Sequence, residues 1–346
     1  MNKDFIQKYP KTQLSNQNIS ELIDYYGKYA DFKHNTSISG IGEDTAAIEE
    51  NGKYRLLSNV LLFEGINFDL TYTPFKHLGY KAIVAAISDI FAMNGYPEQI
   101  SIVLGLSQKI MTEMVDEFMK GVMSACTVYN IDMIDFRLVP SFTGLTISVM
   151  ITGVVEKSMK VSRKNGRTSD LICVSGDLGS AYMGLQLLQR EKRVLKGNDI
   201  AQPDFGINND YVLERQLKPE AKKYVIDFLK DIKLVPTSMV NVKNGLASAL
   251  WDICRASKTG CRIFEKKIPF HQTTLKVSHE LNYNPLIAAL NGGEDYELLF
   301  TLPISEHEKI NKQFPENINM IGYLTEPDLS CRMITGNDEE IEIREI

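Results

Sequence analysis

The chain has 346 residues, with 38 Lys and Arg against 44 Asp and Glu, a formal net charge of −6, 44% hydrophobic and 24% charged residues. That balance describes a globular protein without the basic surface that nucleic acid requires, and the length suits two domains of ordinary size. The opening MNKDFIQKYPKTQLSNQ has no apolar signal-peptide core and no later apolar run reaches spanning length, so a cytoplasmic location away from membranes is expected.

Residues 18–30 (NISELIDYYGKYA) show the spacing of an amphipathic helix. The stretch SISGIGEDTAAIE then reads as a Gly-rich loop that carries Glu43 and Asp44. Adjacent carboxylates on such backbone suit a hard cation, and they equally suit a solvated turn. Residues 54–63 are apolar and branched, as in a buried strand, and lead into EGINFDL, where Glu64 is the acid. Next, LGYKAIVAAISDIFAMNG follows helical spacing and stops at Asn94-Gly95. Asp89 falls on the apolar face of that helix, next to Ser88. A carboxylate there needs either backbone donors, or a cation, metal or site partner. Strands are predicted over 99–106, 131–138 and 145–155, with a helix over 111–129. The polar segment KSMKVSRKNGRTS marks a boundary near residue 157.

The second half opens with a strand over 170–175. Gly176 and Gly179 then lead into a helix, a turn that serves phosphates or is simply a tight connection. No G-x-x-x-x-G-K-[ST] occurs, so a nucleotide would need another device, such as carboxylate-bound magnesium. Residues 193–210 read as an irregular spacer. Helices are predicted over 211–229 and 246–256, separated by a loop at 241–245 (NVKNG), and strands over 261–268 and 296–302. Between those strands LNGGEDYELLF gathers Glu294, Asp295 and Glu297, and residues 319–346 suggest a meander of short strands. The five cysteines (Cys126, Cys173, Cys254, Cys261 and Cys331) are scattered and lack CxxC pairs, which argues against a disulfide framework and a thiolate zinc site.

Taken in order, GIGEDTAAI, EGINFDL, LGYKAIVAAISDIFAMNG, SGDLGSAYMGLQLL and LNGGEDYELLF resemble the thiamine-monophosphate kinase family over nearly the whole chain. Its relatives, selenophosphate synthetase and the hydrogenase-maturation dehydratase, are disfavoured, because neither a reactive cysteine in an N-terminal Gly-rich loop nor a terminal cysteine is present. The resemblance implies an α/β (α+β), two-domain aminoimidazole ribonucleotide synthetase-like fold, with domains at 1–156 and 157–346 and N-terminal sheets that pair in a homodimer. It also implies ATP held through Mg2+ and phosphoryl transfer to thiamine phosphate, a reaction that depends on cations and their acidic ligands.

Carried over residue by residue, the resemblance assigns Glu43, Asp44 and Asp89 to metal, and Glu64, Asn67, Glu294 and Asp295 to substrate. Asp44, Arg137, Lys243 and Asn244 are candidates for nucleotide or phosphate, Arg137 and Lys243 for their positive charge rather than by the resemblance, and the catalytic residue is left unassigned. Four positions that hold aspartate in the family pattern carry Val60, Arg137, Asn241 and Asn244 here, and Asn67 replaces a histidine. With Lys243 added, the loss amounts to about six charge units, each worth roughly 4 kcal/mol at 4 Å and an effective dielectric of 20 if the groups converge. The expectation is therefore a catalytically impaired or repurposed homologue that binds a phosphate ligand, in which Arg137 and Lys243 either contact that ligand without obligatory magnesium or pair with Asp44, Asp89 or Asp135 and close the pocket. The alternative is an active thiamine-monophosphate kinase with a rebuilt metal site.

Overall fold

The computed structural model describes residues 19–197, 205–206, 208–327 and 330–344. An N-terminal helix, α1 (Ile19–Gly27), precedes a six-stranded sheet ordered β1-β2-β3-β6-β4-β5. Its strands are β1 (Ser37–Ser39), β2 (Ala46–Glu50), β3 (Lys53–Phe63), β4 (Tyr96–Leu106), β5 (Asp132–Pro140) and β6 (Thr146–Glu156). The long antiparallel ladder from Lys53↔Glu156 to Phe63↔Thr146 is its spine. β5 alone runs parallel to its neighbour β4, because α3 (Thr112–Tyr129) supplies the crossover between them.

One face of this sheet is covered by α2 (Phe75–Ala92), whose residues 78–92 are all buried. A helix this apolar on every side belongs inside a molecule, and it lies between the sheet and the second half of the chain. Asn94, at φ 59°, ends it in the left-handed conformation expected for the Asn-Gly stop.

The second sheet has seven strands, ordered β13-β12-β9-β11-β7-β10-β8. They are β7 (Leu171–Ser175), β8 (Ser238–Val242), β9 (Gly260–Phe264), β10 (Glu297–Leu302), β11 (Ile318–Thr325), β12 (Cys331–Ile334) and β13 (Glu340–Glu342). Around it stand α4 (Ser180–Gly197), α5 (Asp210–Leu217), α6 (Lys223–Asp231), α7 (Leu246–Ser257), α8 (Gln272–Glu280), α9 (Pro285–Asn291) and α10 (His307–Gln313). The largest apolar core is continuous across both halves, joining Ile83, Ile87 and Ile147 to Val225, Met239 and Phe300.

Several elements differ from the sequence reading. Residues 46–50 form an edge-side strand where a loop was expected. The single helix over 211–229 is two, because Pro219 cannot donate the helical N–H and breaks the run. Asn241 and Val242 end a buried strand rather than sit in a loop. The strand expected over 261–268 stops at Phe264 and gives way to a single 3-10 turn. Helices α8 and α9 were not anticipated, and α4 extends into the expected spacer, whose residues 198–204 and 207 lie outside the described ones. Nor are the cysteines scattered in space, since three of them converge in the second sheet's core. Among the described residues, no helix is long and apolar enough to cross a membrane.

α2 and α3 cross at backbone contact. A Cβ on Gly79 would lie 2.1 Å from the Phe118 carbonyl oxygen, and one on Gly121 would lie 1.8 Å from that of Lys76. Neither obstacle is a side chain that could turn away, so any added methyl pushes the helices apart. Gly121→Ala is expected to cost about 1–3 kcal/mol, seen as a lower denaturant midpoint at unchanged slope. Gly79→Ala combined with it is expected to cost less than the sum of the two single changes, since one separation of the helices relieves both clashes.

Candidate functional site

The carboxylate of Asp89 is buried on α2 and accepts three hydrogen bonds, from β3 and from β8 with the residue that follows it. Ser58 Oγ on β3 donates to Oδ2 at 3.0 Å, while Asn241 Nδ2 at the end of β8 and Lys243 Nζ just beyond it donate to Oδ1, each at 3.0 Å. Ser88 next door only bonds its own helix, at the Val84 carbonyl. Asp44, two residues before β2, is also buried and is gripped by the Arg163 fork, with Nη2 2.8 Å from Oδ1 and Nε 3.2 Å from Oδ2. Lys243 Nζ lies 3.7 Å from the same Oδ1, so this one ammonium joins Asp44 to Asp89. Arg163 also reaches Asp252 on α7 at 3.3 Å. Glu43 accepts from Ser162 Oγ at 3.0 Å and pairs with Lys164 at 3.1 Å.

Charge sets the protonation of this cluster. Burial by itself would raise the Asp44 carboxyl, but Arg163 first and Lys243 second hold it below the ordinary aspartate value. Burial does raise Asp252. It also opposes the charge on Lys243, yet Asp89 and Asp44 outweigh it and lift the ammonium above its usual value. Lys243 and Asp44 are therefore both held in their ionised forms.

A strained loop keeps Lys243 in place. Gly293 (φ 74°), Glu294 (φ 59°) and Tyr296 (φ 50°) all adopt left-handed backbone, and a Cβ on Gly293 would meet the Lys243 carbonyl oxygen at 2.8 Å. In this conformation the Glu294 N–H donates to the Lys243 carbonyl at 2.8 Å and that of Tyr296 donates to Val242 at 3.2 Å. The Glu294 carboxylate is then anchored by buried Lys81 of α2 at 2.7 Å. Helix, loop and lysine form one unit.

Above the cluster opens a cavity of about 1240 Å³. Its wall includes Arg163, Lys243, Asn244, Glu294 and Asn67, with Tyr72 and Tyr182 among the aromatic lining. Asp44 and Asp89 do not line it. At this cluster the cavity meets Arg163 and Lys243 with Asp44 and Asp89 behind them, while Glu43, Asp69, Asp252 and Glu294 are acids on its wall.

The residues singled out from sequence separate accordingly. Glu43, Asn67, Lys243, Asn244 and Glu294 line the cavity, Asn67 while accepting from its own turn at Phe63 N, 3.0 Å away. Glu64 turns aside and caps the Leu145 N–H at 2.8 Å. Asp295 is fully buried at the start of α4, accepting from the N–H groups of Gly179 (2.7 Å) and Ala181 (3.2 Å), where a helix N-terminus favours an anion. Arg137 is not brought to the cluster. It pairs in register with Val103, which places it with Asp135 on the sheet face opposite α2, and its 70% exposed side chain bonds Asp135 at 3.0 Å. Val60, in register with buried Val149, packs against the core instead of the cavity.

Sequence reasoning missed Arg163, Lys81, Ser58 and Asp252. Lys81 carries the same signal as Asp89, a charge within an apolar helical run. Arg163 gave none, because KSMKVSRKNGRTS has the composition of a solvated linker.

Asp295 has a testable consequence for stability. Burial pushes its carboxyl up from 3.8 to about 7 against the pull of Arg215 and the two backbone donors. In the window between those values the folded chain keeps a proton that the unfolded chain has lost, so this residue's contribution falls as pH rises through it. The slope for one proton is about 1.4 kcal/mol per pH unit. Asp295→Asn is expected to flatten the decline in denaturant midpoint between pH 5 and pH 7, and parallel profiles for the two proteins would contradict this assignment.

Comparison with known proteins agrees with this architecture. Residues 42–155 match the family described as AIR synthase related protein, N-terminal domain. The chain is 32% identical over 263 residues to the thiamine-monophosphate kinase of Aquifex aeolicus (strain VF5), covering 76% of this chain and 80% of that protein. It is 29% identical over 317 residues to that of Bacillus subtilis (strain 168), covering 90% and 93%. A solved structure of AaThiL complexed with AMPPCP and TMP superposes with a TM-score of 0.80 at 26% identity, over 98% of this chain and 100% of that one. The two-sheet fold, the ordered motifs and these identities together place the chain in the thiamine-monophosphate kinase family.

Proposed function

We propose that this chain binds a phosphate ester, either a nucleotide or a thiamine phosphate, without obligatory magnesium, and that it transfers phosphoryl groups poorly. One observation carries the reading: Lys243 Nζ sits 3.0 Å from Asp89 and 3.7 Å from Asp44, where it neutralises both acids. The donor set speaks against a divalent ion at this cluster. The acid oxygens already face nitrogen cations, Asn241 turns an N–H toward Asp89, and among the described residues no three carboxylates bring their oxygens together. Phosphoryl transfer leans on cations that neutralise the charge of the moving group, and an ammonium anchored to two acids cannot coordinate several phosphate oxygens at once as a metal ion does. It can still bind phosphate oxygen, as can the Arg163 fork beside it. At about 1240 Å³ the cavity exceeds the usual 300–1,000 Å³ of a small-molecule site, so a nucleotide and a second phosphate ester both fit.

Titration calorimetry with ATP and with thiamine diphosphate in EDTA tests the reading. Binding is expected to persist in EDTA and to weaken as salt rises. Lys243→Ala is expected to weaken it about tenfold or more in EDTA, the loss of a charge-assisted hydrogen bond worth about 1.5–3 kcal/mol. With the lysine gone, Asp44 and Asp89 become available again, so magnesium is expected to restore part of the affinity in the variant and little in the parent. Turnover of thiamine phosphate and ATP at about 1–100 s⁻¹ with magnesium would instead establish an active kinase with a rebuilt metal site.

The assembly belongs to the same proposal. On the sheet face opposite α2, Leu61 and Phe63 are 51% and 39% exposed in one row of β3, a surface suited to pairing with a second copy. Sedimentation at micromolar concentration is expected to show a dimer, and Leu61→Glu is expected to shift it toward monomer.

A further inference from the structure

Three cysteines far apart in sequence meet in the core behind the second sheet. Cys254 lies on α7, Cys261 on β9 and Cys331 on β12, and their sulfurs all lie within 4.8 Å of one another. Cys261 and Cys331 are direct partners in the parallel β9–β12 register, and α7 lays Cys254 over that pair. The side chains are at most 1% exposed, in a cluster with Ile253, Ile263, Ile321, Met333 and Ile343. Their backbones are fixed as well, since Cys261 N–H donates to Ser330 at 2.9 Å, while the Cys254 and Cys331 carbonyls accept from Thr259 (2.9 Å) and Ile343 (2.8 Å). Hydrogen bonds among the three sulfurs, with burial, hold Cys261 and Cys331 well above the ordinary thiol value, so these groups are protonated thiols.

We propose that Cys254, Cys261 and Cys331 form a trithiol site for a three-coordinate, trivalent thiophilic centre, of which arsenite is the accessible probe. Charge selects the ligand. Three thiolates around zinc leave a net −1, and around a monovalent soft metal −2, in a core where an uncompensated charge is very costly. A trivalent centre leaves none. The reaction balances without an oxidant or an external base: As(OH)3 forms three As–S bonds, breaks three As–O bonds and takes up the three thiol protons as three waters. No charged intermediate state of the core is required, and the three sulfurs approach from one strand pair and one helix, which suits a pyramidal centre without a fourth ligand. Zinc, by contrast, favours four ligands.

The reduced full chain, incubated with arsenite to equilibrium under native conditions, is expected to give one adduct by native mass spectrometry: the added mass of one arsenic less three protons. The thermal midpoint is expected to rise by roughly 5 °C at arsenite a hundredfold above Kd. Cys254→Ser, Cys261→Ser and Cys331→Ser, checked for folding by circular dichroism and paired with the corresponding Cys→Ala variants, are each expected to abolish the three-proton adduct. Cys126→Ser and Cys173→Ser are expected to retain it. A lowered midpoint, which would mean capture of the unfolded chain, would overturn the proposal. So would a two-proton adduct that survives in the single variants, the absence of any adduct, or stoichiometric retention of zinc under the same conditions. Because the readouts involve neither ATP nor the large cavity, failure here leaves the phosphate-binding reading untouched, and the converse holds.

Discussion

A carboxylate in the middle of an apolar helix dictates much of this architecture. A buried carboxylate is costly without donors, and those of Asp89 come from Ser58 on β3, from Asn241 near the end of β8 and from Lys243. Satisfying one group therefore ties the first sheet, the central helix and the second sheet together. Asp44 repeats the arrangement from the other side, calling in Arg163 from the segment between the sheets and, through it, Asp252 on α7. The left-handed loop around Glu294 makes sense in this setting. Its strain fixes the backbone that carries Lys243, and Lys81 anchors the loop to the same helix that bears Asp89.

What the sequence makes legible is whatever leaves a local period. α2, β3, β4 and β6 each have one, as does the Asn-Gly stop after α2, and the ordered motifs identify the family. Pro219 was visible too, and respecting it would have divided the helix over 211–229. The site is less legible because its decisive features are registers and crossings. Arg137 looks like a phosphate ligand until pairing with Val103 turns it to the opposite face of the sheet. Asn241 looks like a loop residue until β8 buries it beside Asp89. Arg163 cannot be told from its solvated neighbours by composition, since only the fold brings Asp44 to it. The cysteine trio is the extreme case, with no spacing signal at all because a parallel strand pair and a helix assemble it.

The substitutions at family positions also separate once the fold is known. Asn241 and Lys243 change the chemistry at the buried acids, and Asn244 changes the cavity wall above them. Arg137 lies on the opposite face of the first sheet, so the charge added at the cluster is smaller than a count over the sequence implies. The cluster is consequently close to balanced: Asp44, Asp89 and Asp252 face Arg163 and Lys243. A balanced group of fixed charges can persist inside a protein where an unbalanced one would recruit ions or water.

That balanced seam and the apolar core shared by the two sheets hold the halves together by forces that both weaken on cooling. The desolvation penalty of ion pairs shrinks on heating, and hydrophobic association weakens on cooling. Contacts running from Asp44 and Asp89 to Arg163 and Lys243 thus gain relative weight in the warm, when chain entropy most favours separation of the halves. In the cold the common core loses its grip while the cost of keeping those charges dry grows, so neither part of the joint makes up for the other.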